Sequence, residues 1–158
     1  METNEVKSIW FKVNGFNTHC YTAGESGPPL ILVHGAGMDS AKLSWGEAIR
    51  PLSEQARVYA VDLPGYGQSE YRNGLVYTND FYVQFLKAFM DELQLEKAMV
   101  MGLSLGGGIA LGFTLQYPEK VSALGLVSSN GIAKKMGMAF YHLSFLRANT
   151  TESPKLFF

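Results

Sequence analysis

The apolar positions of the chain first follow the spacing of strands. Residues 6–13 and 16–22 form two runs rich in aromatic and branched side chains. They are separated only by Asn-Gly, which is the strongest short signal for a β-hairpin. The run at 30–33 is apolar at every position, as is typical of a strand buried on both faces of a parallel sheet. The pattern therefore predicts an N-terminal β-hairpin followed by a buried parallel strand.

Helical spacing then alternates with further strands. Asp39 or Ser40 can cap a helix that runs toward Glu54, and residues 78–80 can cap a second helix. The second helix has an apolar stripe of 3.6-residue period made of Tyr82, Leu86, Phe89, Met90 and Leu93. Strands are predicted at 57–61, 97–103 and 121–127, and a third helix at 105–117 that ends before Pro118.

A hairpin followed by alternating strands and helices predicts an α/β fold with a mostly parallel sheet of six strands. In such sheets, functional sites lie at the carboxyl ends of the strands. From residue 132 onward the chain has helical spacing and is rich in methionine and aromatic side chains. We therefore divide it into a core, 1–131, and a following segment, 132–158.

Composition narrows the class of protein. The chain has 158 residues, of which 47% are hydrophobic and 17% charged, which fits one globular domain. Its net charge of -1 gives no attraction to nucleic acid or to an anionic membrane surface. Cys20 is the only cysteine, so we predict a core residue and exclude an internal disulfide. The polar, acidic start does not resemble a signal peptide, and we expect a cytoplasmic protein.

One motif carries candidate chemistry. Residues 102–106, Gly-Leu-Ser-Leu-Gly, match Gly-x-Ser-x-Gly between a predicted strand and a predicted helix. A serine on such a sharp turn needs a strained backbone, and the flanking glycines give the turn room. The helix that follows directs its free N–H groups toward the site. We expect Gly107 and Gly108 to let this helix lie close to the sheet.

Two further motifs lie after predicted strands. Residues 34–37, His-Gly-Ala-Gly, follow the third strand, and residues 62–69, Asp-Leu-Pro-Gly-Tyr-Gly-Gln-Ser, follow the fourth. With the motif at 102–106, they make the chain resemble the N-terminal part of the α/β-hydrolase family, in its serine-dependent, lid-containing form. The resemblance runs from about the first strand to the sixth and implies an α/β-hydrolase fold.

The resemblance implies a role for each matching residue. Ser104 matches the family's nucleophile. The backbone N–H groups of Leu105 and Ala36 match the donors of its oxyanion hole, with Gly37 as a substitute for Ala36. His34 matches a histidine that supports the oxyanion loop. A serine at this turn argues against haloalkane dehalogenases and epoxide hydrolases, which use aspartate there.

Other readings of these residues are less favoured. Asp62 follows the fourth strand and is expected to order its loop rather than to act as the catalytic acid. The glycines at 106–108 are not a dinucleotide fingerprint, because position 111 is leucine. No lysine of a phosphate-binding loop follows them either. We therefore predict no cofactor and no metal.

The rest of the family's triad has no match. No aspartate follows Ser104, and the later acids are Glu119 and Glu152. The later histidine, His142, falls in the segment that resembles the start of the family's lid. We expect a chain truncated after its sixth strand and the start of the lid, by nature, by a split gene or by a partial gene model. Because a serine without a base is a weak nucleophile, we expect it to be inactive alone.

Three functions stay open at this point. The first is a serine hydrolase that acts on an ester, an amide or an activated carbon–carbon bond of a small molecule. The second is a non-catalytic module that binds a small apolar ligand. The third is a fragment that pairs with a separate C-terminal half or with itself through the edge strand 121–127, which carries no charge and no proline.

Overall fold

The computed structural model describes residues 5–132, which form six strands and three α-helices. The strands are β1 (Lys7–Val13), β2 (Phe16–Ala23), β3 (Pro29–Val33), β4 (Arg57–Val61), β5 (Ala98–Leu103) and β6 (Val121–Val127). The helices are α1 (Ala41–Leu52), α2 (Asn79–Glu92) and α3 (Leu105–Gln116), followed by a 3₁₀ turn at Pro118–Lys120. Apart from Ile132, the segment predicted as a lid lies outside the described residues.

The strands make one mixed sheet in the order β1-β2-β4-β3-β5-β6. The hairpin strands pair antiparallel with each other, and β2 also pairs antiparallel with β4. The contacts β4-β3, β3-β5 and β5-β6 are parallel. The predicted fold class is therefore confirmed, and the carboxyl ends of β4, β3 and β5 meet at one edge of the sheet.

Helices cover both faces of this sheet, which explains why the run at 30–33 is apolar throughout. Ile31 and Val33 belong to the core shared with α2 and α3. Leu30 and Leu32 face the other way, into the core shared with α1. Alternate side chains of a strand point to opposite faces, so a strand between two helical layers needs apolar residues at every position.

The first two helices begin at residues that the sequence predicted as caps. Ser40 caps α1 by accepting the backbone N–H of Leu43 at 3.2 Å, and Thr78 caps α2 by accepting that of Phe81 at 3.0 Å. The first helix ends at Leu52, two residues before the predicted end at Glu54. Its last turn contains Pro51, and the chain then turns through Ser53 into β4.

Within residues 5–132, the side of the sheet at β6 is sparsely covered. β6 lies at the edge of the sheet and has no fully buried residue. On the neighbouring helix α3, Leu115 is 75% exposed. A helix that is apolar around its whole circumference, as α3 is, normally has neighbours on all sides. Within residues 5–132, no helix is long and apolar enough to cross a membrane.

Candidate active site

Ser104 lies in the turn between β5 and α3 and has an unusual backbone. Its φ is 51° and its ψ is -111°, a left-handed region that side-chain-bearing residues rarely enter. The surrounding chain holds this conformation on both sides of the residue. The N–H of Ser104 donates to Val127 at 3.0 Å, and its carbonyl oxygen accepts the N–H groups of Asn130 at 2.9 Å and Gly108 at 3.2 Å.

Two glycines make this turn possible. A side chain at Gly102 would overlap the backbone carbonyl of Gly106. A side chain at Gly106 would overlap the carbonyl oxygens of Val33 and His34, where α3 crosses the end of β3. The expected need for small residues on both sides of Ser104 therefore agrees with the packing.

Gly107 and Gly108, which follow Gly106, were both predicted to let α3 lie close to the sheet. Gly107 does lie in a tight contact, because an added side chain would approach Ser129 Oγ to 2.5 Å. Gly108 has room, since its nearest neighbour would be Asn130 Cβ at an ordinary 3.5 Å. The prediction for Gly108 was wrong. The close approach of α3 to the sheet depends on Gly106, which faces the end of β3.

The loop after β3 lies directly beside Ser104. A Cβ at Gly35 would be 3.6 Å from Ser104 Cβ, so the backbone of this loop borders the serine side chain. Ala36 and Gly37 follow and are exposed. Leu105 is the first residue of α3, and the N–H groups of the first helical turn have no partner within the helix. The structure thus brings the loop of Ala36 and Gly37 together with Ser104 and Leu105.

Asp39 holds this loop, a role that the sequence did not reveal. Its Oδ2 accepts the N–H of Gly35 at 2.8 Å and the hydroxyl of Ser44 at 2.6 Å. Its Oδ1 accepts the N–H of Ser40 at 2.7 Å. In the sequence, Asp39 was only a candidate helix cap. Its spacing of four residues from Gly35 is the signal for a carboxylate that closes its own loop.

His34 is buried and both of its ring nitrogens are engaged. Nδ1 donates to the carbonyl oxygen of Gly35 at 2.8 Å, and Nε2 accepts the N–H of Leu63 at 3.1 Å. Burial lowers the pKa of His34, outweighing the opposing effects of Gly35, Asp39 and Asp62. A neutral imidazole with both nitrogens bonded fits a support of the loop and not a general base.

Asp62 connects the same loop to the hairpin. Its Oδ1 accepts the N–H of Ala41 at the start of α1 at 2.8 Å. Its Oδ2 accepts the N–H of Gln68 at 3.0 Å and faces His19 Nδ1 at 2.8 Å. Asp62 therefore orders the loop at 62–69, in agreement with the sequence, and both of its carboxylate oxygens are engaged.

The described part of the chain offers no reactive cysteine and no metal site. Cys20 is fully buried, as predicted, and burial raises the pKa of its thiol, which opposes formation of the reactive thiolate. Across residues 5–132, no group of three or more histidine, cysteine or acidic side chains could hold a metal ion. His142 and Glu152 lie outside the described residues. Ser104 Oγ makes no capping hydrogen bond to the first turn of α3.

Comparison with known proteins places the chain in a family. A family model described as the alpha/beta hydrolase fold matches residues 28–151. This chain belongs to the α/β-hydrolase family. The match includes all three motifs, at 34–37, 62–69 and 102–106.

Curated relatives are hydrolases of more than one kind. The chain is 35% identical over 120 residues to 2-hydroxymuconate semialdehyde hydrolase from a Pseudomonas species, covering 75% of this chain and 42% of that protein. It is 34% identical over 123 residues to a carboxylesterase named nap from Bacillus subtilis, covering 77% of this chain and 40% of the relative. The chain thus spans less than half the length of these relatives.

Solved structures agree with the fold. A 2-hydroxy-6-oxo-6-phenylhexa-2,4-dienoate hydrolase from a Rhodococcus species superposes with a TM-score of 0.82 at 28% identity, over 92% of this chain and 54% of the other. Naproxen esterase from Bacillus subtilis gives a TM-score of 0.80 at 33% identity, over 89% of this chain and 49% of the other. Each of these structures is also only about half covered by the chain.

Proposed function

We propose that this chain carries the nucleophile and the oxyanion hole of a serine hydrolase. Ser104 Oγ attacks the carbonyl carbon of a small-molecule substrate, the bond to the leaving group breaks, and water then hydrolyses the acyl-serine. The observation that carries the proposal is the strained backbone of Ser104 at the start of α3, beside Gly35. Strain of this kind is retained where it holds a reacting group in place.

In this proposal, two backbone N–H groups stabilise the oxyanion. The N–H of Leu105 lies at the positive end of α3, where negative charge is favoured. The N–H of Ala36 lies in the neighbouring loop, with Gly37 as its substitute. Asp39 and His34 keep that loop in one conformation through their bonds to Gly35. Donors that are already in place add most to catalysis, because they need no reorganisation during the reaction.

The general base has to come from outside residues 5–132, and Glu119 lies in the turn before β6, at the end of that strand opposite to Ser104. His34 is engaged on both nitrogens, and the described residues after Ser104 include no histidine. A serine hydroxyl without a base reacts slowly, although an oxyanion hole alone retains some catalysis. We therefore propose that the isolated chain has little activity and that a complement supplies the base and acid.

The substrate belongs to one of the classes that the relatives' names suggest. One relative is a carboxylesterase and another acts on 2-hydroxymuconate semialdehyde. We propose an ester, an amide or an activated carbon–carbon bond next to a carbonyl group. All three reactions share the acyl-serine and the oxyanion, so the described site serves each of them.

The sparsely covered side favours pairing with a complement. β6 is an edge strand, Val127 is 40% exposed, and Leu115 on α3 is 75% exposed. An uncharged edge next to apolar side chains is a surface that another polypeptide can extend. Pairing there would also place the partner beside Ser104, whose N–H is bonded to the end of β6.

Complementation tests the proposal directly. Residues 1–132 are joined to the part of the Bacillus subtilis carboxylesterase nap that this chain does not cover, and hydrolysis of p-nitrophenyl acetate is measured. We expect turnover that the chain alone lacks and that Ser104→Ala abolishes. Ser26→Ala, which removes an exposed serine from the loop between β2 and β3, should retain most of it. A folded chimera in which Ser104→Ala has full activity contradicts the proposal.

A further inference from the structure

A second serine lies in hydrogen-bond contact with a histidine, far from Ser104 in the sequence. Ser8 is exposed on β1, and its Oγ lies 2.7 Å from Nε2 of His19 on β2. Nδ1 of His19 lies 2.8 Å from Oδ2 of Asp62. The three side chains therefore form a continuous line of hydrogen bonds from a buried carboxylate to an exposed hydroxyl.

The order of donors in this line follows from the carboxylate. Ionised, Asp62 can only accept, so Nδ1 of His19 carries a proton and donates it. In the neutral imidazole, Nε2 then has a free lone pair that accepts the hydroxyl proton of Ser8. The amide nitrogen of Gln68 lies 3.4 Å from the same Nε2, which also suits an unprotonated nitrogen. His19 is thus oriented as a base toward Ser8.

Asp62 is held in place more firmly than a surface carboxylate. It is 1% exposed, and backbone N–H groups of Ala41 and Gln68 bond to its two oxygens. His19 is fully buried, and its Nε2 lies in contact with Ser8 and Gln68. A fixed acid, an oriented base and an accessible hydroxyl are the parts of an activated serine nucleophile.

We propose that Ser8 is a second acyl acceptor of this protein, activated by His19 and Asp62 and directed at aryl esters. The aromatic preference rests on Trp10, which is 54% exposed and whose ring lies 5.1 Å from that of His19. Ser8 and Trp10 are two residues apart on a strand, so they share one face of the sheet. An aryl group stacked on Trp10 would bring its ester beside Ser8 Oγ.

The reaction is a transfer of the acyl group to the serine. Ser8 Oγ forms a bond to the carbonyl carbon while its proton moves to His19 Nε2. The bond from carbon to the aryl oxygen breaks, and the departing aryloxide takes up that proton. Gln68, which donates to the hydroxyl of Tyr21 at 3.1 Å, lies beside His19 together with Tyr21.

Covalent labelling of the Ser104→Ala chain tests the proposal without any contribution from Ser104. The variant is treated with a fluorophosphonate and, separately, with p-nitrophenyl acetate, and the modified peptides are sequenced by mass spectrometry. We expect modification at Ser8 at least tenfold faster than at Ser122, since a positioned base contributes roughly 10²–10⁴-fold. Ser122 is the matched control, an exposed serine on the opposite edge strand.

Two variants separate activation from simple exposure. Ser8→Ala in the same background should lose the label and leave the folded state unchanged, since Ser8 is exposed. His19→Asn should retain Ser8 and lower its labelling at least tenfold, with circular dichroism confirming that the sheet persists. The proposal is overturned if Ser8 is labelled no faster than Ser122 in folded Ser104→Ala, or if folded His19→Asn is labelled at an unchanged rate. Because Ser104 is absent throughout, these outcomes do not depend on the role proposed for it.

Discussion

The backbone N–H of Ser104 donates to the carbonyl oxygen of Val127 at 3.0 Å, so the candidate nucleophile is bonded to the last residue of the edge strand. Three residues further along the chain, the N–H of Asn130 donates to the carbonyl oxygen of Ser104 at 2.9 Å. The unusual backbone of Ser104 therefore depends on the position of β6. A polypeptide that pairs with β6 or displaces it would therefore alter the backbone of Ser104 through these two hydrogen bonds.

The edge strand should make the chain associate with itself. β1, at the other edge, begins with Lys7 and carries Lys12, and such charges discourage pairing between edges. β6 has no charged residue. We expect light scattering to show oligomers and ANS to bind, and Ala123→Lys to reduce both. Ser26→Lys, which adds the same charge in an exposed loop, should change neither. A monodisperse monomer without ANS fluorescence would contradict this prediction.

Gly106 and Gly108 should respond oppositely to alanine. At Gly106, a methyl group would overlap the carbonyl oxygens of Val33 and His34, so urea denaturation should show a loss of about 3 kcal/mol or more. At Gly108, the methyl group would meet Asn130 Cβ at 3.5 Å, and alanine should be neutral or stabilise α3 by about 0.5–1 kcal/mol. Equal effects of the two substitutions would mean that α3 does not cross β3 as described.

The buried His34 should make stability depend on pH. Burial lowers its pKa in the folded state below the ordinary value of about 6.5 that it has when unfolded. The unfolded chain then binds more protons below about pH 6.5, so the free energy of unfolding falls as the pH falls through that value. The loss continues down to the folded-state pKa, at no more than about 1.4 kcal/mol per pH unit for one group.

Urea denaturation from pH 7.5 to 5 measures this effect, with His34→Gln as the comparison. The variant loses the titrating group, so its deficit in unfolding free energy relative to the native sequence should shrink as the pH falls. A deficit that stays constant over this range would show that His34 is not buried in its neutral form.

The isolated chain should hydrolyse p-nitrophenyl acetate little faster than its Ser104→Ala variant. The reason is that both ring nitrogens of His34, in the loop beside Ser104, are already hydrogen-bonded and cannot act as a base. Any residual release of p-nitrophenol should be shared by both proteins and disappear in Ser8→Ala. Initial rates at equal concentrations check this. Rapid turnover that Ser104→Ala removes would show that a base from outside residues 5–132, such as His142, reaches the serine.

The sequence revealed the elements of the fold because each has a strong local signal. Asn-Gly at 14–15 predicted the hairpin, and the wholly apolar run at 30–33 predicted a strand covered on both faces. The glycines around Ser104 predicted a sharp turn, and the structure has it. The close contact expected at Gly108 was misjudged. The glycine that faces the end of β3 is Gly106, and no local pattern shows which residues of α3 will meet a strand so distant in the sequence.

Contacts between distant strands could not be read from the sequence. Asp62 reaches His19 because β2 pairs antiparallel with β4, and no local pattern specifies that pairing. Ser8 joins them through the register of the hairpin, which sets Ser8 opposite Tyr21, next to His19. Asp39 was visible only as a candidate helix cap, since its bond to Gly35 depends on the shape of the loop.

The central claim is that Ser104 is the nucleophile of a serine hydrolase. The chimera of residues 1–132 with the uncovered part of the Bacillus subtilis carboxylesterase nap tests it most directly, in a Ser8→Ala background that removes the second candidate. It is treated with a fluorophosphonate, and the modified peptide is identified by mass spectrometry. We predict one modified residue, Ser104, and loss of esterase turnover in proportion to its modification. Modification of a different residue, with turnover lost at the same rate, would contradict the account.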